Sequence, residues 1–396
     1  MKELVGQFFI YLAFAYIISA LTLVVIRRLR LPDFLAYLMT GALFGAFLLL
    51  LSDYPQILNR VFNDNNVFLL FANHIGVLVF LILIGLNFDP QFFRWVDGEN
   101  LVFSTVLASL TILSVGIISF FFVTGQDWWA TLFLTTAFLS INIGAVAQSY
   151  LSETGLVKKQ TTNLLQMALS LDLLAIIAIA AIDTIKQNLH RDFTVLDLMY
   201  FLLFLLFSLP ILMRQRFSFY LARRSPPATN SILFLAMGIF FISLNLAYNT
   251  GLSLVFIGFW AGLFLKSMIP SVEKFQRQRL LQVGAFFFLI PFTDMGRAMV
   301  MAFQHTYLIW KNFNFLMAAL ILLAIAFGLY VRYRKQPLLF LVLGTFPRGE
   351  LTLIIFWLAY RQRILPAEVF IPGIFVVMIS VLVGHLVFRR SSTGVD

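Results

Sequence analysis

Five charged side chains of this chain lie inside long apolar stretches, where an ionised group is most costly. They are Asp172, Asp294, Arg297, Arg348 and Glu350. An ionisable residue in such a setting is a functional candidate by default, and its type and neighbours decide which chemistry is open to it.

Asp172 is the only charged residue of the apolar segment 167–175. A carboxylate at that depth has two tolerable states, because it is either protonated or holds a cation. Competition between a proton and a cation for one carboxylate is the chemistry of proton-coupled exchange. The alternative is a structural acid that pairs with an arginine on a neighbouring helix. The rarity of such residues favours the functional interpretation.

The other four charges form two sequence pairs. Asp294 and Arg297 are three positions apart, so an ion pair on one helical face is the simplest interpretation. The alternative is that Asp294 lines a vestibule and passes ions to Asp172. Arg348 and Glu350 are two positions apart and point to different sides of a regular helix. We expect Arg348 to offset the charges of facing half-helices or to pair with an acid on another helix.

Polar residues interrupt two of the apolar stretches. One interruption contains Ser140 and Asn142, and the other contains Pro347 beside Arg348 and Glu350. Unwound backbone at membrane depth is tolerated only where it is buried in protein or lines a cavity. Broken helices at matching points of two repeats indicate an ion site near the bilayer midplane. For the first interruption, ordinary packing of small residues is an equal alternative.

The elements that carry these residues are transmembrane helices. Of the 396 residues, 61% are hydrophobic, 12% are charged and 46 are phenylalanine, which excludes a water-soluble domain. We predict thirteen helices of an all-α polytopic membrane protein, since each run is long enough to cross a bilayer. They lie near 5–26, 33–51, 67–87, 101–124, 128–151, 160–183, 195–214, 230–248, 251–267, 279–303, 309–331, 336–360 and 368–388.

The cysteine, histidine and charged-residue content limits which ligands and partners the chain could bind. No cysteine and four histidines argue against a transition-metal site, and we predict no cofactor and no catalytic residue. The net charge is +10, and its basic residues lie in short loops between the apolar runs. This distribution is typical of membrane topology signals, and we predict no nucleic-acid partner. Nineteen lysines and arginines border the loops of one side and six border those of the other. We therefore expect the C-terminus in the cytoplasm and the N-terminus outside a bacterial inner (plasma) membrane.

The chain also contains a weak internal similarity. Residues 80–88 and 288–296 align, and each segment precedes an interrupted run by two helices. On the predicted topology the two copies run in opposite directions, which is typical of inverted-repeat transporters. We predict one transmembrane transporter domain over 1–396, with repeats roughly over 33–183 and 251–388 and no soluble regulatory domain.

Four segments, in their order along the chain, resemble the monovalent cation:proton antiporter superfamily, in its sodium/proton and potassium/proton exchanger branch. They are Leu31-Pro32 through Tyr37-Leu38 to Gly41 and Gly45, Leu83-Ile84-Gly85-Leu86-Asn87-Phe88-Asp89, Leu151-Ser152-Glu153-Thr154-Gly155-Leu156, and Pro347-Arg348-Gly349-Glu350. The resemblance implies two crossing broken helices, at 128–151 and 336–360. It also implies a second domain that forms a homodimer, and it makes Asp172 the ion-binding carboxylate.

Two departures from the family pattern bear on stoichiometry. Leu171 stands where relatives carry the first residue of a paired-acid motif, and 312–331 contains no basic residue where electrogenic relatives carry a lysine. The hypothesis is therefore a secondary transporter that exchanges protons for Na⁺ or K⁺ without moving net charge. The alternative is an antiporter-like module that senses ions or scaffolds partners. A channel or an enzyme is less favoured, because the polar residues cluster at one depth and no nucleophile–base pair recurs.

Overall fold

The computed structural model describes residues 2–29, 31–51, 66–87, 98–141, 158–188, 238–239, 241–242, 245, 253–268, 274–303, 306–335, 341, 345–346 and 348–393. Within these ranges the chain forms eleven α-helices and no strand, which confirms the predicted all-α architecture. The helices are α1 (Lys2–Arg28), α2 (Asp33–Leu50), α3 (Val67–Asn87), α4 (Gly98–Thr111), α5 (Trp128–Ala137), α6 (Lys158–Asn188), α7 (Leu254–Met268), α8 (Lys274–Met301), α9 (Thr306–Tyr333), α10 (Glu350–Arg361) and α11 (Ala367–Thr393). Two π-helical segments, Ile112–Gly116 and Ser119–Val123, follow α4.

Seven apolar segments of the described helices are long enough to cross a bilayer. They are Leu4–Arg28, Asp33–Leu50, Val67–Leu86, Leu101–Val123, Gln166–Lys186, Tyr307–Tyr333 and Ala367–Gly384, and Leu254–Lys266 is a shorter apolar helix. The chain is thus an integral membrane protein. The predicted run 195–214 and most of 230–248 lie outside the described residues, so the total of thirteen helices stays a prediction.

The exposed face of α9 shows how these helices meet their solvent. Ile321, Leu322, Ile325 and Leu329 are each about half exposed or more, and all are aliphatic. A water-soluble helix would place polar residues on such a face. Lipid hydrocarbon solvates an exposed apolar face at no cost in free energy. A protein with this face would aggregate in water, but the face is stable in a bilayer.

The chain divides into two compact units, and the first contains residues 1–12, 59–92 and 179–292. In its described part α3 packs along α7. A β-carbon added at Gly85 would lie 2.1 Å from the Phe259 carbonyl oxygen, and one at Gly262 would lie 2.1 Å from the Ile82 carbonyl oxygen. The two backbones are therefore in direct contact, which is the usual role of small residues between membrane helices.

The second unit contains residues 13–58, 93–178 and 293–396. Glycines also bring α2 against the last part of α8 here. A β-carbon at Gly41 would lie 1.8 Å from the Thr293 carbonyl oxygen, and one at Gly296 would lie 2.0 Å from the Leu38 carbonyl oxygen. This contact fixes the height of α8 against α2, and with it the position of the neighbouring Asp294.

In the second unit, non-helical backbone lies at both places where the sequence predicts a break. α5 ends at Ala137, and Ser140 and Ile141 are not helical. Arg348 and Gly349 are also not helical, and α10 begins at Glu350. α5 packs against α10, which brings the two interruptions into one region of the unit.

Candidate ion-binding site

Asp172 lies in the middle of α6, and the end of α5 holds one of its carboxylate oxygens. Oδ1 accepts a hydrogen bond from the Ser140 hydroxyl at 2.7 Å and another from the Ile141 backbone N–H at 3.0 Å. The interruption of α5 makes this possible, because a continued helix would engage the Ile141 N–H with a backbone carbonyl. Both donors stabilise the ionised carboxylate over the protonated one.

The second carboxylate oxygen of Asp172 is not held in this way. Within the described residues Oδ2 accepts no hydrogen bond, and the side chain as a whole is 9% exposed. One oxygen therefore fixes the orientation of the carboxylate, and the other is available to a proton or to a cation.

Arg348 reaches the same region from the break before α10. Its Nη1 donates to the Ser140 carbonyl at 3.0 Å. Its backbone N–H donates to the Phe346 carbonyl at 2.7 Å and to the Ser380 hydroxyl of α11 at 3.3 Å. Ser140 consequently bonds both charged groups, because its hydroxyl donates to Asp172 and its carbonyl accepts from Arg348. These contacts connect α6, the end of α5, the break before α10, and α11.

The Arg348 guanidinium is 1% exposed, yet it is only partly hydrogen-bonded. Among the described residues its Nε and Nη2 find no partner, and it forms no salt bridge with Asp172. It does lie within electrostatic range of the Asp172 carboxylate. Arg348 thus offsets negative charge at the site from a distance and leaves the carboxylate open.

Glu350 is a second acid that acts electrostatically on Asp172. It is the first residue of α10 and is partly buried. Its carboxylate lies within electrostatic range of Asp172 and of Asp33 at the start of α2. Glu350 and Arg348 form no ion pair within the described residues, although they are two positions apart. Glu350 therefore adds negative charge within electrostatic range of Asp172.

Asp294 is fully buried, and arginines engage both of its oxygens. Arg297 donates to Oδ1 from Nε at 2.9 Å and from Nη2 at 2.8 Å, which is the ion pair that their spacing indicates. Arg361, at the end of α10, donates to Oδ2 through Nη2. Its guanidinium also lies 4.5 Å above the Trp357 ring. Both oxygens of Asp294 are thus engaged by arginines.

The structure brings Asp172, Ser140 and Arg348 together, with Glu350 in electrostatic range of Asp172, while Asn142 and Pro347 lie outside the described residues. Three contacts were not predicted from the sequence, namely those of Ile141, Ser380 and Arg361. Ile141 acts through its backbone, which gives no side-chain signal. Ser380 is a polar residue in an apolar run and could have been found. Arg361 sits at the end of its run and was counted as a topology signal.

Comparison with known proteins gives an independent result. A family model described as sodium/hydrogen exchanger, transmembrane, matches residues 13–390. The solved structure of the sodium proton antiporter MjNhaP1 from Methanocaldococcus jannaschii at pH 8 is similar, with a TM-score of 0.66 and 13% sequence identity over 99% of this chain and 100% of that chain. An electron-microscopy map of the same antiporter gives a TM-score of 0.61 and 14% identity over 95% and 94% of the two chains. No curated protein sequence matches. The structural matches show a shared fold.

Proposed function

Because this chain belongs to the sodium/hydrogen exchanger family, as its sequence motifs predict, we propose that it is a secondary active transporter that exchanges protons for a monovalent cation. The cation is Na⁺ or K⁺. The observation that carries the proposal is the Asp172 carboxylate, which has one oxygen held by Ser140 and Ile141 and the other without a partner among the described residues. The alternating occupant of that second oxygen is a proton or the cation.

The contacts of Asp172 support this exchange. The Ser140 hydroxyl and the Ile141 N–H stabilise the ionised form, so that the carboxylate is able to release its proton in a buried setting. The cation then takes the place of the proton, and Glu350 adds negative charge nearby. Arg348 is a fixed cation that does not titrate, and its charge limits how tightly the cation is held. Weak, reversible binding is what a transported ion requires.

We further propose that the exchange is electroneutral. Leu171 removes the first acid of the family's paired motif, and 312–331 contains no basic residue. Asp172 then carries one proton in one direction or one monovalent cation in the other. The loaded site has the same charge in both states, provided that Glu350 keeps its protonation state through the cycle.

The arrangement in the cell follows the same proposal. The chain forms a homodimer in the lipid bilayer of a bacterial inner (plasma) membrane, with the N-terminus outside and the C-terminus in the cytoplasm. A single transporter domain contains the inverted repeats near 33–183 and 251–388. The second candidate function is an ion sensor or scaffold, which the two departures from the family pattern favour.

Exchange in proteoliposomes tests the proposal. Purified protein should exchange H⁺ for Na⁺ or K⁺ under imposed gradients, and Asp172→Asn should abolish exchange, since an amide keeps the shape and cannot titrate. Asp172→Glu should retain partial activity with altered apparent affinity. Glu368→Gln, at the start of α11, is the control that removes a carboxylate elsewhere and should leave the rate unchanged. Folded wild-type protein that exchanges no ion under any gradient would favour the sensor instead.

A further inference from the structure

The Asp294 cluster lies outside the proposed ion path, yet it is the most complete buried ion network among the described residues. Asp294 is fully buried, Arg297 is 3% exposed, and Arg361 closes the network from another helix. Such a network is expensive to build, because each charge loses its hydration and needs excellent geometry in return. A purely local ion pair between Asp294 and Arg297 would not need Arg361.

Arg361 connects this network to the ion site through α10. The helix has twelve residues, so its first residue Glu350 and its last residue Arg361 are about 16 Å apart. Residues 351–359 between them are all buried. The helix is therefore a short rigid rod, with Arg348 and Glu350 at the ion site on one end and the Asp294 anchor on the other.

The anchor itself is held in register by α2. Asp294 lies between Thr293 and Gly296, whose backbones contact the backbone of α2 at Gly41 and Leu38. These glycine contacts leave no room for α8 to slide along α2. An arginine bound to Asp294 is consequently bound to a fixed point of the second unit.

We propose that Arg361 and Asp294 are positioning residues, which set the height of α10 and thereby hold Arg348 on the Ser140 carbonyl and Glu350 within electrostatic range of Asp172. The inference rests on the proposed ion site and names residues that set its affinity from a distance. Arg361 is suited to this task because its Nη2 binds the carboxylate while its flat face packs on Trp357. A lysine could supply only the charge.

Arg361→Gln is the informative variant. Asp294 keeps Arg297 in this variant, so the protein should remain folded. Two effects then have opposite signs. Removal of a positive charge strengthens cation binding by electrostatics alone, whereas a displaced α10 weakens it. We expect the displacement of α10 to outweigh the electrostatic effect, so that the cation concentration for half-maximal exchange rises about tenfold. A misplacement of about 1 Å at a reacting site lowers reaction rates by up to about a hundredfold.

The experiment compares wild type, Arg361→Gln, Arg361→Lys and the control Arg363→Gln, which removes an exposed arginine two residues further on. Hydrogen–deuterium exchange in detergent is read on peptides that cover 345–353, and exchange in proteoliposomes is titrated with NaCl and with KCl. Faster deuterium uptake at 345–353 and weaker cation affinity in Arg361→Gln, partly restored in Arg361→Lys and absent in Arg363→Gln, would support the inference. Asp294→Asn, which leaves two arginines facing each other, should give the larger effect.

Unchanged uptake at 345–353 in Arg361→Gln would overturn the inference, and so would a cation affinity that is unchanged or higher. The deuterium measurement does not depend on transport. If the wild type fails to exchange ions, the proposed transport function fails, while faster uptake confined to 345–353 still supports the positioning role. A uniform rise of uptake over all peptides would show general destabilisation and would count against it.

Discussion

Ser140 occupies a position at which one residue serves two opposite charges. Its hydroxyl donates to Asp172 at 2.7 Å, and its carbonyl accepts from Arg348 at 3.0 Å. The hydroxyl bond is stronger to the ionised carboxylate than to the protonated one, so it shifts the balance between the proton-loaded and cation-loaded states. A serine in an apolar stretch of sequence is an ordinary residue, and the importance of Ser140 comes from the two groups that the fold places against it.

Removal of the Ser140 hydroxyl should therefore weaken cation binding. In Ser140→Ala the ionised carboxylate loses a hydrogen bond worth about 1 kcal/mol, so the cation concentration for half-maximal exchange should rise about fivefold. The pH profile of exchange should move to higher pH, because the proton then competes better. Ser170→Ala is the matched control, since that hydroxyl donates only within α6 to Gln166. Equal profiles for Ser140→Ala and wild type in proteoliposomes would contradict the assignment.

Arg348 should contribute to stability as well as to activity. Arg348→Ala leaves the Ser140 carbonyl without its donor and opens a cavity between the two breaks, and an unsatisfied buried group costs about 1–3 kcal/mol. We expect a melting temperature several degrees lower in detergent, together with slower exchange. Arg332→Ala, at an exposed position of α9, should change neither. Lost exchange at an unchanged melting temperature would instead indicate that Arg348 acts directly in the ion path.

At the scale of elements, the end of α5 and the start of α10 supply the groups of the site, and the neighbouring helices hold them in place. α5 and α10 pack together, with Phe138 and Phe356 edge to face at 5.7 Å between their ring centroids. Their ends supply backbone donors and acceptors that an unbroken helix would consume internally. The contact between α2 and α8 depends on a different device, the absence of a side chain at Gly41 and Gly296.

This contact predicts a strong effect of a single methyl group. Gly296→Ala places a β-carbon 2.0 Å from the Leu38 carbonyl oxygen, so the helices must separate. Overpacking costs about 1–3 kcal/mol in ordinary cores, and a clash with rigid backbone belongs at the upper end of that range. The control is Gly6→Ala in α1, where an added β-carbon meets nothing within 4 Å. The melting temperature in detergent should fall for Gly296→Ala only, and equal values for both variants would refute the contact.

At the scale of the whole molecule, the relevant quantity is the charge that crosses the membrane in one cycle. Among the described residues near Asp172, Arg348 is a fixed cation and Glu350 is a second acid. If only Asp172 titrates, the site moves with the same charge whether it carries a proton or a monovalent cation. If Glu350 also titrates, a second proton can take part and net charge moves.

We expect exchange to be insensitive to membrane potential, because we propose that Asp172 alone titrates. Each elementary charge moved would couple to the potential by about 2.3 kcal/mol per 100 mV, so an electrogenic cycle would be easy to detect. We expect equal Na⁺/H⁺ exchange rates in proteoliposomes with and without a potential clamped by valinomycin and K⁺, or the equivalent clamp when K⁺ is the substrate. Steady currents on a solid-supported membrane would contradict this. Currents that disappear in Glu350→Gln would identify Glu350 as the second titrating group.

The architecture of this protein, its family and its main candidate residue could be predicted from the sequence alone. The apolar runs predict an all-α membrane protein because a bilayer dictates helix length and polarity, and the structure confirms this architecture. The family resemblance is confirmed by the family match over 13–390. Asp172 could be selected as a candidate because an isolated acid at membrane depth is rare, and both helix interruptions were visible as polar clusters in apolar sequence.

Only the tertiary structure decided which groups meet. The Ile141 N–H that holds Asp172 is a backbone donor, and a backbone group has no residue-type signal. The bond from Arg348 to Ser140 joins positions 208 residues apart, and that from Arg361 to Asp294 spans 67 residues. Hydropathy describes each helix against lipid, but contacts between helices depend on rotation and height, which small shifts in packing change. The partners of each charge were therefore decided by the way the helices pack.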